Sequence, residues 1–400
     1  MSIEKDQTIK VGLLIDEFFG GAGTAFGGYG YLARRYIAKY IPNKSISIDV
    51  LLGRNQRNPK TGSIYRSTFG AFFATKWYVD DVCLYRLPWI PFFSKLWLKR
   101  KNYSIYLSIE LTLDWVMRNE PSKDKKLILW IQDPRPWSEW EKIIRMTYVK
   151  EPCYYNQRIY NLVNKLHSEN RVKFVSQGVT LNNLAKKLYM LPQETPIQYL
   201  PNPVEVDEQY IFDIKKKKKQ ILFLGRLEPP KRAWLFCEVA KKLPEYEFFI
   251  LGQFFRNSEE NKKALAQYMD GNIRNLHFMG HDDGEMKNNL LKESRLLLST
   301  SIWEAIPISW LEALSYGTLI VSDLEREGLA ENFGKFVGEI TGDGFDQIEK
   351  FIPAIKYLME NDREYEKKAK SAIKYIRSNH NIERFVADLR NVITETANEA

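Results

Sequence analysis

The chain has 400 residues, 44% hydrophobic and 27% charged, with a formal net charge of +9. That length exceeds what one hydrophobic core organises, so two domains of about 200 residues are expected, and the positive balance points to anionic partners. Three scattered cysteines (Cys83, Cys153, Cys237), a polar stretch at 1–10 and the lack of any run of roughly 18 apolar residues argue against a disulfide scaffold, a signal peptide and a spanning helix, so a cytoplasmic protein is expected.

Residues 10–16, KVGLLID, are a short apolar run before a turn region, the pattern of a buried parallel strand. A loop with Gly20, Gly21, Gly23, Gly27 and Gly28 follows. Residues 29–40 then read as a helix, with Leu32, Tyr36 and Ile37 on one face and Pro42 beyond its end. The next strand is expected at 46–52. The segment 88–101, PWIPFFSKLWLKRK, mixes aromatic rings with clustered cations. It suits a stretch lying on an anionic membrane face or gripping a lipid-linked acceptor; core packing with a charged tail is the plainer account. Strands at 127–131 and 172–175 complete an alternation typical of a doubly wound α/β domain.

Residues 200–204, LPNPV, form a proline-stiffened break, and the five lysines at 215–219 read as a solvated linker. The alternation then restarts. A strand at 220–224 ends at Gly225, a helix covers 233–243, and a strand at 247–251 ends at Gly252. A strand at 276–279 ends at Gly280, and a helix at 284–293 leads to a strand at 295–299. A helix at 307–316 and a strand at 318–322 follow, and 347–400 is mostly helical and charged. The predicted architecture is therefore an N-terminal Rossmann-like domain at 1–203, a second at 204–378, and a helical segment at 379–400 returning toward the first domain. Two such sheets in series would face one another across a cleft where strand ends address a shared ligand.

Two segments carry candidate chemistry. In 299–317, STSIWEAIPISWLEALSYG, Pro307 suits the first helical position and pushes Ile306 out of helical geometry. Glu304 would then lie in the loop entering the helix and Glu312 in its second turn. The amides of Ile308, Ser309 and Trp310 would form a phosphate site. A carboxylate at Glu312 can accept two hydrogen bonds from a ribose diol; an ordinary exposed helix acid fits the same position. In 224–232, LGRLEPPKR, a strand ends in glycine, and Arg226 and Lys231 sit five apart in a loop before a helix. A planar guanidinium and a point-charge ammonium match a diphosphate leaving group, although two loop cations alone are usually just solvated.

Taken together and in order from 221 to 322, the strand-Gly-Arg-x5-Lys element, the strand end LHFMG at 276–280 and the Glu-x7-Glu element with its trailing EALSYG resemble glycosyltransferase family four, a large retaining GT-B family. The resemblance implies a GT-B fold and transfer from a nucleoside diphosphate sugar with retention, in cell-surface polysaccharide or glycoconjugate synthesis. Arg226 and Lys231 would bind the donor pyrophosphate, Glu312 the ribose hydroxyls, and Glu304 the transferred sugar, with backbone contacts from Ile308 and Ser309. The acceptor would be a growing glycan or a lipid-linked sugar; by its composition, 88–101 is the candidate for a contact with the inner face of the membrane, with core packing as the alternative. Family members often carry glycine soon after the first glutamate; Ala305 and Pro307 stand there instead, which moves the expected amide contacts one residue along.

In the first half, Gly27-Gly28 is the preferred match to a glycine pair that borders the donor phosphate, with Gly20-Gly21 as competitor and simple loop freedom as the alternative. Asp133, in WIQDPRPW at 130–137, stands where many family members place a histidine beside the acceptor; it is an acceptor-side candidate or a structural cap. The four histidines form no metal-binding pair and no Asp-x-Asp occurs, so neither a protein-held metal nor a cofactor is expected. Competing functions are a GT-B epimerase of nucleotide sugars and a non-catalytic nucleotide-sugar or nucleic-acid binder; no nucleic-acid recognition motif supports the last.

Overall fold

The computed structural model describes residues 8–16, 18, 28–53, 70–79, 82–254 and 259–399. It divides into two compact units. The first joins Met1–Pro134, Asn156–Asn202 and Ile382–Ala400; the second joins Arg135–Tyr155 and Pro203–Asn381.

Among the described residues the first unit is built on an eight-stranded sheet of β1 (Ile9–Ile15), β2 (Ile46–Leu52), β3 (Thr75–Val79), β4 (Val82–Arg86), β5 (Ile105–Ile109), β6 (Leu127–Ile131), β7 (Val172–Ser176) and β8 (Ile197–Tyr199). The order is β3-β4-β2-β1-β5-β6-β7-β8, parallel except for the β3–β4 hairpin at one edge. The central strands β5 and β6 are buried along their whole length, as expected where helices cover both faces of a parallel sheet. One cover is the C-terminal helix Ile382–Asn398: the Phe385 ring stacks on Trp130 at 5.3 Å, and Arg390 donates to the carbonyls of Tyr40 and Ile41.

Among the described residues the second unit has six parallel strands, β9 (Lys218–Leu224), β10 (Glu247–Leu251), β11 (Leu276–Gly280), β12 (Ser294–Ser299), β13 (Leu319–Ser322) and β14 (Gly334–Phe336). Their order, β11-β10-β9-β12-β13-β14, is that of a dinucleotide-binding Rossmann sheet, with the switch point between β9 and β12. The glycines that close neighbouring strands lie side by side. Gly252 donates to the Gly280 carbonyl at 2.7 Å, and a Cβ added at Gly252 would lie 1.9 Å from the Gly225 oxygen. No other residue fits at Gly252, whereas Gly280 is favoured by its positive φ of 74°.

Two expectations change. The stretch 135–155, read from sequence as part of the first domain, makes its contacts in the second unit. The amides of Thr147 and Tyr148 donate to the Asp343 carboxylate, and the Tyr148 ring packs edge-on against Trp234 and Phe345. The lysine run is not wholly solvated either. Lys217 is buried, donating to the carbonyls of Leu291 and Ser294 and to the Thr318 hydroxyl at 2.8 Å, and burial pushes its ammonium well below the usual lysine range, with Arg295 adding to the shift.

Candidate active site

In an open Rossmann sheet the ligand crevice lies beyond the carboxyl ends of the strands at the switch point. In the second unit that point is shared by the loops that follow β9 and β12. They are tied together: Ile302 donates to the Pro230 carbonyl at 2.8 Å, and the Thr300 hydroxyl donates to the Lys231 carbonyl at 2.9 Å. Between them Arg232 is fully buried in a left-handed backbone conformation (φ 46°). Its guanidinium donates to the carbonyls of Thr300, Ile340 and Gly342 and pairs with Asp323. Burial pushes the Asp323 carboxyl up and the Arg232 guanidinium down, while their attraction opposes both shifts. Arg232 therefore holds the two loops to one another, a role not visible in a string of loop cations.

On this frame Lys231 and Glu304 form an ion pair, and the Ser301 hydroxyl donates to the same glutamate oxygen at 3.0 Å. The Glu304 carbonyl accepts from Arg326 at 2.7 Å, and Trp303 is flanked by the guanidinium groups of Arg326 and Arg135 at 5.1 and 5.7 Å. Arg226, in the β9 loop, pairs with Glu228 at 3.0 Å.

The following helix, Ile308–Ser315, places Pro307 just before it as an extended cap rather than as its first helical residue. Trp310 already donates to the Pro307 carbonyl at 3.0 Å, so the helix start presents the amides of Ile308 and Ser309, one fewer than sequence suggested. The helix buries Trp310, Leu311, Ala313 and Leu314. Ile308, Ser309 and Glu312, spaced at i, i+1 and i+4, share its less buried face. Glu312 pairs with Lys287 at 2.8 Å, the lysine coming from the helix Glu285–Glu293. Sequence reading missed Lys287, because a lysine within a polar amphipathic helix carries no local mark of a partner 25 residues on.

The structure thus joins Lys231 directly to Glu304, sets Arg226 in the same loop as Lys231, and sets Glu312 on one helix face with Ile308 and Ser309. Asp133 belongs to the first unit, at the end of β6, and is half-buried. Its amide and that of Gln132 donate to one oxygen of Glu110 at 2.8 and 2.7 Å, and Tyr189 donates to the other. Glu110 is buried with φ 45°, and desolvation raises its carboxyl above the usual range. Gly28 begins the helix Gly28–Leu32; Gly27, Gly20 and Gly21 lie outside the described residues. Among the described residues no three His, Cys, Asp or Glu side chains group to hold a metal, and no helix is long and apolar enough to cross a membrane.

Residues 207–378 match the profile of the family described as Glycosyl transferases group 1. This segment is similar to a group 1 glycosyl transferase domain. It holds every candidate residue of the second unit, from Arg226 to Glu312. The O-antigen biosynthesis glycosyltransferase WbnH of Escherichia coli is 31% identical over 163 residues, covering 37% of this chain and 45% of its own. The Escherichia coli UDP-Gal:alpha-D-GlcNAc-diphosphoundecaprenol alpha-1,3-galactosyltransferase is 27% identical, covering 42% of this chain and 46% of its own. The chain thus spans about half the length of the curated relatives it matches. Over nearly its full length it shares the fold of sucrose-phosphate synthase from Thermosynechococcus elongatus, with a TM-score of 0.73 at 10% identity, covering 98% of this chain and 100% of that one. The two units are Rossmann-like α/β domains, as in the GT-B fold.

Proposed function

We propose that this protein transfers a sugar, with retention, from a nucleoside diphosphate sugar to a hydroxyl of a glycan or lipid-linked acceptor. The observation that carries this reading is the Lys231–Glu304 pair at the β9/β12 switch point, beside a helix that starts with the amides of Ile308 and Ser309. A pyrophosphate would take Lys231, Arg226 and those amides as its donors, so charge developing on the leaving group meets fixed cations and dipoles. That set of cations supports turnover without a protein-held metal. Glu304, released from Lys231 by the phosphate, would contact the transferred sugar, and Glu312 would accept from the ribose diol. Asp133, held by Glu110, is the acceptor-side candidate. The lipid-linked acceptor takes its support from the undecaprenyl-diphosphate substrate in the name of one Escherichia coli relative.

The test is a screen of nucleotide sugars by thermal stabilisation and by product analysis, with and without an acceptor. Stabilisation by one nucleoside diphosphate sugar with slow hydrolysis is expected. An isomerised nucleotide sugar as product, or no stabilisation by any donor, would overturn the reading.

A further inference from the structure

We propose that the first unit carries a docking surface for an anionic lipid bilayer, formed jointly by the turn at 70–73 and the helix Pro91–Lys101. The proposal deepens the lipid-linked acceptor reading above, but it rests on its own geometry and is read out by binding rather than by transfer.

The helix is seated by one side only. Leu98 and Ser94 are buried, Trp115 donates to the Ser94 hydroxyl at 2.9 Å, and the Trp97 ring packs on Tyr85 at 5.2 Å. Lys101 is drawn inward too, pairing with Asp49 and lying 3.7 Å over the Tyr85 ring. Core packing therefore explains Trp97, Leu98 and Lys101. It leaves Phe92 at 68% and Leu96 at 57% exposure, one turn apart on the outer side. The turn at 70–73 extends this apolar surface. Trp89 and Ile90 donate to the carbonyls of Gly70 and Ala71, the Phe72 ring meets Phe93 at 5.2 Å, and Phe73 is 67% exposed. Exposed aromatic and leucine side chains contributed by two segments are more than the single apolar residues that any surface carries.

Charge decides between a bilayer and a protein partner. Lys95, Lys99 and Arg100 are exposed on the same helix, and neither 70–79 nor 88–101 contains an Asp or Glu. Protein interfaces deplete lysine at their apolar centres, whereas an interfacial helix combines rings that enter the headgroup boundary with lysine and arginine that meet anionic lipid. The occupant is thus a membrane face bearing anionic headgroups.

Co-sedimentation of the full chain with vesicles tests this, using phosphatidylcholine alone and phosphatidylcholine mixed with phosphatidylglycerol. Binding to the mixed vesicles only, weakened by salt, is expected. Lys95→Ala/Lys99→Ala should weaken it about 25-fold, at roughly fivefold per lysine, and Phe92→Ala/Leu96→Ala by about tenfold or more. Circular dichroism and nucleotide-sugar thermal shifts on the same samples check the fold and report the proposed function separately. Equal binding to neutral vesicles, binding unchanged in both variants, or self-association without vesicle binding would each overturn the docking surface. A folded protein that binds vesicles without responding to any nucleotide sugar would overturn the transferase reading instead.

Discussion

Lys231 and Glu304, 73 residues apart in sequence, neutralise one another at the end of the second unit's sheet, and a hydroxyl from Ser301 supports the glutamate. Under the proposed function a donor pyrophosphate would compete with Glu304 for this ammonium, coupling phosphate binding to release of the carboxylate toward the sugar. Lys231→Met should lower turnover by about 100- to 1000-fold, in the range for losing one preorganised donor at a developing charge. Because it also strands a largely buried carboxylate, it should cost about 1–3 kcal/mol of stability. Glu304→Gln in the Lys231→Met background should restore most of the melting temperature and none of the turnover. Steady-state rates and thermal melts on the single and double variants check this.

Glu312 and Lys287 make the second pair. Glu312→Ala should weaken donor binding by about tenfold or more, since each hydrogen bond to a charged group is worth about 1.5–3 kcal/mol. Lys287→Met should weaken it less, because the carboxylate stays in place and only its orientation is lost. Calorimetric titration with the preferred nucleotide would give both affinities, and an unchanged value for Glu312→Ala would remove that residue from the site.

Lys217, at the opposite end of β9 from Arg226, offers a stability test. Its ammonium is held below the ordinary lysine range in the fold, so the unfolded chain binds more protons between the two values. Stability therefore rises with pH across that window. Lys217→Met should flatten the rise and cost about 1–3 kcal/mol, because the acceptors at Leu291, Ser294 and Thr318 lose a buried donor. Denaturant unfolding from neutral to alkaline pH would measure both effects.

Glu110 has the opposite sign. Its folded carboxyl titrates above the unfolded value because of burial, so the folded state holds the extra proton and this contribution to stability falls as pH rises through the window. Glu110→Gln should remove that fall while keeping an acceptor for the amides of Gln132 and Asp133. Glu110→Ala strands both amides and should destabilise by about 2–5 kcal/mol. Melting temperatures of the three proteins across acidic to neutral pH would separate these outcomes.

The legible parts of the fold were those written locally. β2, β6 and β10 fall on the expected residues: β6 and β10 are apolar runs, and β2 alternates Ile46, Ser47, Ile48 and Asp49 before an apolar end. β3, β4, β5, β8 and β14 carry weaker signals: two form a short edge hairpin, β8 and β14 have three residues each, and β5 has no glycine or proline bounding it. The order of Arg226, Lys231, Glu304 and Glu312 was readable as a pattern, but their partners were not. Glu228 lies two residues from Arg226 in sequence, yet Lys287, Arg326 and Asp323 reach the site only through the sheet's crossovers. Lys217 shows the same limit from the other side, since a run of five lysines looks solvated until tertiary carbonyls converge on one of them.

The C-terminal helix has a practical outcome for anyone dissecting this molecule. The polypeptide passes from one unit to the other after 134, 155, 202 and 381, so neither unit is a contiguous stretch. Truncation before 382 would strip Phe385 from the Trp130 ring and the Arg390 fork from the carbonyls of Tyr40 and Ile41. A fragment ending near 202 would bare an apolar wound on its sheet and should clump or be degraded, so isolated halves are poor stand-ins for the intact protein.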